Sequence, residues 1–182
     1  MKRALLFLLC LSPLFFLLYR LFAGGAEDPV KAIYSVTGYS ALTLLYAATT
    51  ISLVRKKIRL LRYRRMVGLF AFFYALLHFC NFLILDMELD PAAAFDETLK
   101  KPFIYLGVTA FAILLFMAVT SLPKLFARFY KYHRLIYVAL LLVTVHFVMA
   151  QKALAYWQWE ILAVMALIGV LKVLQRTGLA KF

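Results

Sequence analysis

Charge is scarce in this sequence, and negative charge most of all: 16% of its 182 residues are charged and only eight are acidic. Soluble domains carry about 25% charged and about 45–50% apolar residues. Here 66% of the chain is hydrophobic, and mean hydropathy is +0.90. So few charged side chains cannot cover that much apolar surface, which excludes a soluble single domain. The two cysteines, Cys10 and Cys80, both sit inside apolar runs, which argues against a disulfide framework, and the absence of C-x-x-C-H excludes covalent c-type haem attachment. There is no G-x-G-x-x-G, no Walker G-x-x-x-x-G-K-[ST] and no G-x-S-x-G. The chain therefore lacks the signatures of a nicotinamide-binding domain, a P-loop and a nucleophile elbow.

What is present is a series of long uncharged runs. A membrane crossing needs roughly 20 apolar residues, and six runs qualify, over residues 4–22, 38–54, 66–85, 102–121, 134–151 and 154–172. None shows the two-residue alternation of a barrel strand, and lipid otherwise admits only helices. The expected fold is an all-α integral membrane bundle of six transmembrane helices forming one domain over residues 1–182. The first run follows Met1-Lys2-Arg3 in the manner of a signal peptide, with a cleavage-like Ala23-Gly24-Gly25-Ala26 after it. Its length favours a retained helix. No repeat at a fixed period is visible.

The charges then fix an orientation. Lys2 and Arg3, seven basic residues of the second loop (Arg55, Lys56, Lys57, Arg59, Arg62, Arg64, Arg65), four of the fourth (Lys124, Arg128, Lys131, Arg134) and Lys172, Arg176 and Lys181 all fall on one side. Only five basic residues fall on the other, together with every acid. By the positive-inside rule both termini are cytoplasmic. The net charge of +13 thus reflects membrane anchoring to anionic lipid headgroups, not nucleic-acid binding.

Histidine inside a membrane helix is costly and points to function. At a rise of about 1.5 Å per residue, His78 and His146 lie roughly 10 Å and roughly 7–8 Å below the outer ends of the third and fifth helices. Both helices run outward, so the two imidazoles reach nearly one level. That arrangement suits the axial ligands of a six-coordinate haem. A zinc site would want four ligands, and no carboxylate lies at that depth. His133, 13 residues before His146, lies near the cytoplasmic edge. A second haem at His133 is possible with another ligand or solvent, since the matching position on the third helix is Arg65. The alternative for His133 is a propionate, a flavin phosphate or a quinone, with Arg64, Arg65 and Arg134 near its level as an anionic-cofactor site.

Several short motifs occur in a specific order. They are Asp28-Pro29-Val30-Lys31, Thr37-Gly38, Arg64-Arg65-x-x-Gly68-Leu69 and Tyr74-Ala75-x-x-His78, then Lys101-Pro102-Phe103-Ile104-Tyr105-Leu106-Gly107, Thr120-Ser121, Tyr132-His133-Arg134-Leu135-Ile136-Tyr137 and His146-Phe147. On these the chain resembles the MsrQ (YedZ) family, haem-binding membrane subunits of the bacterial periplasmic methionine sulfoxide reductase system, in the ferric-reductase-like transmembrane group.

The resemblance implies a multi-pass protein of the bacterial inner membrane with b-type haem and FMN. It implies electrons taken from the quinone pool or a cytosolic flavin reductase. It also implies their delivery to a periplasmic molybdopterin subunit, MsrP, which repairs oxidised periplasmic proteins. His78 and His146 fall on the family's haem-ligand positions and His133 on its third histidine. Such a chain is an electron-transfer subunit without a substrate-converting site of its own. The rival readings are a ferric or cupric reductase membrane domain, with the same haem and a different acceptor, and a non-redox transport or assembly subunit. The absence of mid-membrane charge weighs against transport.

Overall fold

The computed structural model describes residues 2–25, 27–53 and 61–177. Ala26, the basic residues Arg55, Lys56, Lys57 and Arg59, and Lys181, to which the sequence gives roles above, lie outside these. The described residues form eight α-helices and no strand: α1 Lys2–Phe22, α2 Pro29–Leu53, α3 Leu61–Asn81, α4 Pro91–Lys100, α5 Pro102–Thr120, α6 Pro123–Phe129, α7 Ile136–Met149 and α8 Tyr156–Thr177. A π-helical turn, Phe82–Asp86, continues α3, and a 3₁₀ segment, Tyr130–Leu135, joins α6 to α7. Six stretches are long and apolar enough to cross a membrane: Arg3–Phe22, Pro29–Leu53, Arg62–Asp86, Pro102–Thr120, Pro123–Met149 and Tyr156–Gln175.

Two helices begin earlier than the expected crossings. The second was expected from residue 38, but α2 starts at Pro29, because Asp28 caps it. Its carboxylate accepts from the amide of Lys31 at 2.9 Å, and proline suits a first helical position. α3 carries Arg62, Arg64 and Arg65 within its first turns. Arginine is a good helix former whose long stem lets its charge leave the apolar zone, so a charge does not mark the end of the helix. The short α4 lies between two crossings and is capped by Asp90, which accepts from Ala92 and Ala93.

The core is where α2, α3, α5 and α7 meet: Leu45, Ala71, Leu114, Ile136, Ala139 and Leu140. The alanines Ala71, Ala110 and Ala139 are almost wholly buried, and small residues allow close approach of helices in lipid. α2 packs along α3, and α5 along α7. Phe79 of α3 stacks on Phe111 of α5 with centroids 4.4 Å apart, and Tyr46 of α2 donates to Thr144 of α7 at 2.7 Å. The donor is Tyr46, since the Thr144 hydroxyl is spent on the Leu140 carbonyl. α1 and α8 lie outside this core and turn Leu5, Leu8, Phe22, Leu167 and Val173 outward, as a lipid-facing surface requires.

One end of the bundle gathers Leu53, Arg64, Thr120, His133 and Gln175, tied by Gln175 to the Leu53 carbonyl and by His133 to Thr120. The opposite end holds Asp28, Asp86, Glu88, Asp90, Asp96 and Glu97, with Tyr34 donating to Asp86 across α2 and the π-helical turn. The acidic residues therefore gather at one end, where Lys100 pairs with Asp96 and Lys101 with Glu97.

α1 is held by an unusual bond. Pro13 inside it has no amide hydrogen for the Leu9 carbonyl, and the Ser12 hydroxyl supplies one at 2.8 Å. One residue on, the Tyr74 hydroxyl of α3 accepts from the Leu14 amide at 3.1 Å and donates to the Cys10 carbonyl at 2.8 Å. It thus bridges the two groups that an uninterrupted helix would join directly. Tyr74 is fully buried. Tyr74→Phe should therefore cost about 1–3 kcal/mol, the loss of buried partners, read as a lower unfolding temperature in detergent. In a Pro13→Ala background α1 can close its own bond, and the same change should cost less.

Candidate functional site

His78 of α3 and His146 of α7 come together in the core. Their ring centroids are 6.2 Å apart and their planes cross at 89°. Both are half-buried. The hydrogen bonds behind them settle which ring nitrogen is free. His146 Nδ1 lies 2.6 Å from the Phe103 carbonyl, which can only accept, so Nδ1 carries the hydrogen. His78 Nδ1 lies 3.3 Å from Thr37 Oγ1. That hydroxyl already donates to the Ile33 carbonyl at 2.6 Å, so it accepts from His78. Both imidazoles are therefore Nδ1–H tautomers with a bare Nε2, the form in which histidine binds a metal.

Each ring also rests on a glycine. A Cβ on Gly38 of α2 would stand 3.0 Å from His78 Cε1 and 3.2 Å from its Nδ1. A Cβ on Gly107 of α5 would stand 2.8 Å and 2.9 Å from the same atoms of His146. Nε2 is the more distant atom in both, at 4.0 and 3.4 Å. The glycine thus seats the protonated edge and turns the lone pair away. An aromatic ring four residues before each glycine completes the seat: Tyr34 against His78 at 5.1 Å and Phe103 against His146 at 6.2 Å.

The two half-sites repeat one pattern. Tyr34-x-x-x-Gly38 precedes His78-Phe79, and Phe103-x-x-x-Gly107 precedes His146-Phe147, with 40 and 39 residues from glycine to histidine. This is the repeat that a scan for a fixed period does not find, because so few positions recur. Thr37, Gly38, Phe103 and Gly107 are the site residues that histidine depth alone could not reveal. The duplicated aromatic–glycine spacing is the signal that would have found them.

The arrangement fits the haem expected from the sequence. Two imidazoles on opposite sides of one metal, each bonded at about 2 Å, have centroids about 6 Å apart. No group of three or more His, Cys, Asp or Glu side chains able to hold a metal exists among the described residues. Asn81, three residues past His78, is buried and gives Nδ2 to the Val30 carbonyl at 3.3 Å. Its Oδ1 has no partner among the described residues.

The other candidates lie elsewhere. His133 sits on the 3₁₀ segment, with Nε2 at 3.1 Å from Thr120 Oγ1 and its ring 4.9 Å from Phe126. Arg64 is near enough to act on it electrostatically. Arg64, Arg65 and Arg134 are exposed at the same end of the bundle. None of these four is brought to the His78–His146 pair.

Gly107→Ala should lower bound haem more than Gly38→Ala, since its Cβ would meet the ring at the shorter distance. The ratio of haem to protein in the two purified variants measures this, and equal retention would show that the seats are not tight.

Residues 34–148 match the family model for the ferric reductase like transmembrane component, a span that opens on Tyr34 and closes just past Phe147. The chain is also similar to proteins named protein-methionine-sulfoxide reductase heme-binding subunit MsrQ. Those of Brucella ovis, Brucella canis and Brucella suis are each 36% identical over 150 residues, covering 79% of this chain and 67% of the relative. No solved structure matches.

Proposed function

The chain belongs to the ferric reductase like transmembrane family and, within it, to the MsrQ family, and from that premise we propose that it is a haem-binding membrane subunit that passes single electrons through the bilayer. The observation that carries this reading is the pair of facing imidazoles, His78 and His146, each with a bare Nε2, with centroids 6.2 Å apart. These two would hold the iron of one b-type haem. Bound there, the group supplies a one-electron couple inside an apolar medium. The chain's own residues do the rest. Gly38 and Gly107 seat the rings, Thr37 and the Phe103 carbonyl fix their tautomers, and the surrounding aliphatic and aromatic side chains keep water away.

The orientation follows from the segregated charges, with the basic end and both termini on the cytoplasmic side of a bacterial inner membrane. The His78–His146 pair then lies toward the periplasmic face, where an electron would leave for the molybdopterin subunit MsrP. At the basic end, the exposed Arg64, Arg65 and Arg134 around His133 suit an anionic donor group. A flavin phosphate such as that of FMN, a cytosolic flavin reductase, or a headgroup of the quinone pool would meet positive charge there. A second haem at His133 would need another ligand, since no second imidazole is near.

The purified protein should give a b-type reduced-minus-oxidised spectrum, and its absence after haem-supplemented expression would sink the reading. His78→Ala and His146→Ala should each lose most bound haem, whereas His133→Ala should retain it. The crossed ring planes add a further expectation: the ferric protein should show a strongly anisotropic low-spin electron paramagnetic resonance signal, not the rhombic signal of parallel imidazoles. Reduced protein should in turn reduce a periplasmic molybdoenzyme that repairs methionine sulfoxide.

A further inference from the structure

The two half-sites share a carbonyl as well as a glycine seat. Tyr34 and Phe103 each stand four residues before the glycine, and the carbonyl of each accepts from the histidine beside it. In a helix that carbonyl points at the residue four positions on, so a glycine there opens the way to it. The rings of Tyr34 and Phe103 lie against the same imidazoles. The half-sites differ in one group. Phe103 ends in a bare ring, whereas the Tyr34 hydroxyl donates to Asp86.

Asp86 closes the π-helical turn Phe82–Asp86, eight residues past His78. At about 100° per residue, eight residues of α-helix would leave it about 80° around the axis from His78. A π turn takes in one extra residue, and here it closes from the Met87 amide to the Phe82 carbonyl at 3.0 Å. Asp86 thereby returns to within about 20° of His78, on the side that meets α2. From the same side Asn81 gives Nδ2 to the Val30 carbonyl at 3.3 Å. Two side chains of this stretch thus stitch the first turns of α2 in place beside His78.

We infer that Asp86 is a positioning residue for His78 and acts through Tyr34: it holds the tyrosine ring and carbonyl against the imidazole and so keeps that ligand in place. The inference rests on the haem reading above. Phe103 has no hydroxyl to give His146 the same tether. Asp86 is exposed, so the hold on one ligand of the buried pair is set from the surface of the acidic end.

The test uses the purified haem-loaded full chain. Tyr34→Phe removes the hydroxyl alone and leaves Asp86 solvated. Asp86→Ala removes the acceptor, and Asp86→Asn keeps an acceptor oxygen. With the tether lost, His78 should be displaced more readily. Ferrous Y34F and D86A should each bind carbon monoxide about fivefold to tenfold more tightly than the wild type, the worth of one modest hydrogen bond. D86N should stay within about twofold by the same reasoning. The double variant Y34F/D86A should match either single one, because both delete the same bond. The ferric low-spin signal should change in Y34F and D86A and be kept in D86N.

A bond that only stabilises the fold would lower the unfolding temperature and leave carbon monoxide affinity and the ferric signal as they are. That outcome overturns the inference, as do additive effects in the double variant. If D86A does not accumulate with haem, Y34F against D86N decides. A wild-type protein without any haem would instead refute the functional reading on which the inference stands.

Discussion

An imidazole can give a lone pair to a metal from one nitrogen only if its proton is kept on the other, and in lipid no water is present to hold it there. Everything about the paired half-sites follows from that requirement. The Phe103 carbonyl and the Thr37 hydroxyl both accept at Nδ1, and both belong to the helix packed beside the one that carries the histidine. The site therefore cannot be built on α3 and α7 alone. It needs α2 and α5 close enough for their backbones to touch the rings, which is why the contact position on each is a glycine. The pairing of α2 with α3 and of α5 with α7 is the fold's answer to a tautomer problem.

The same scarcity of water explains how the rest of the bundle treats its polar groups. Thr37, Thr49, Thr109, Thr120 and Thr144 each return their hydroxyl hydrogen to a carbonyl four residues back. That leaves their oxygens as acceptors, and three of them then accept from a side chain of another element: Thr37 from His78, Thr120 from His133 and Thr144 from Tyr46. A threonine in this bundle is thus a device for turning a helix carbonyl into a laterally directed acceptor. Tyr74 solves the inverse problem at Pro13, where its hydroxyl serves both an amide and a carbonyl of α1.

The parts of this architecture that depend on length and composition were legible in the sequence. Six apolar runs foreshadow six candidate membrane-spanning helices, because hydrocarbon thickness sets a minimum run that chance seldom reaches. The meeting of His78 and His146 could be anticipated from helical rise and alternating direction alone. What could not be read is lateral. An acceptor that is a backbone carbonyl, as at Phe103, has no side-chain signature at all. Gly38 and Gly107 are two glycines among seven, and only their distance to a ring sets them apart. The early start of α2 is legible in Asp28-Pro29, a capping carboxylate before a helix-starting proline. The first turns of α3 are hidden by Arg62, Arg64 and Arg65, whose charges break the apolar run though not the helix.

The duplicated half-site also bears on the opposite end of the bundle. His133 stands 26 residues after Gly107, and 26 residues after Gly38 stands Arg64. Counting back 13 residues from His78, as His133 stands 13 before His146, lands on Arg65. By either count the pattern that sets imidazole against imidazole near the acidic end sets imidazole beside guanidinium at the basic end. A guanidinium has five donors and no lone pair for a metal. Its planar fork suits carboxylate and phosphate oxygens. The histidine beside it donates from Nε2 to Thr120, so the guanidinium is the group there that suits an anion. On this reading the two ends of one quasi-repeated scaffold have diverged in chemistry. One end sets two neutral imidazoles against each other, and the other sets an imidazole beside exposed guanidiniums.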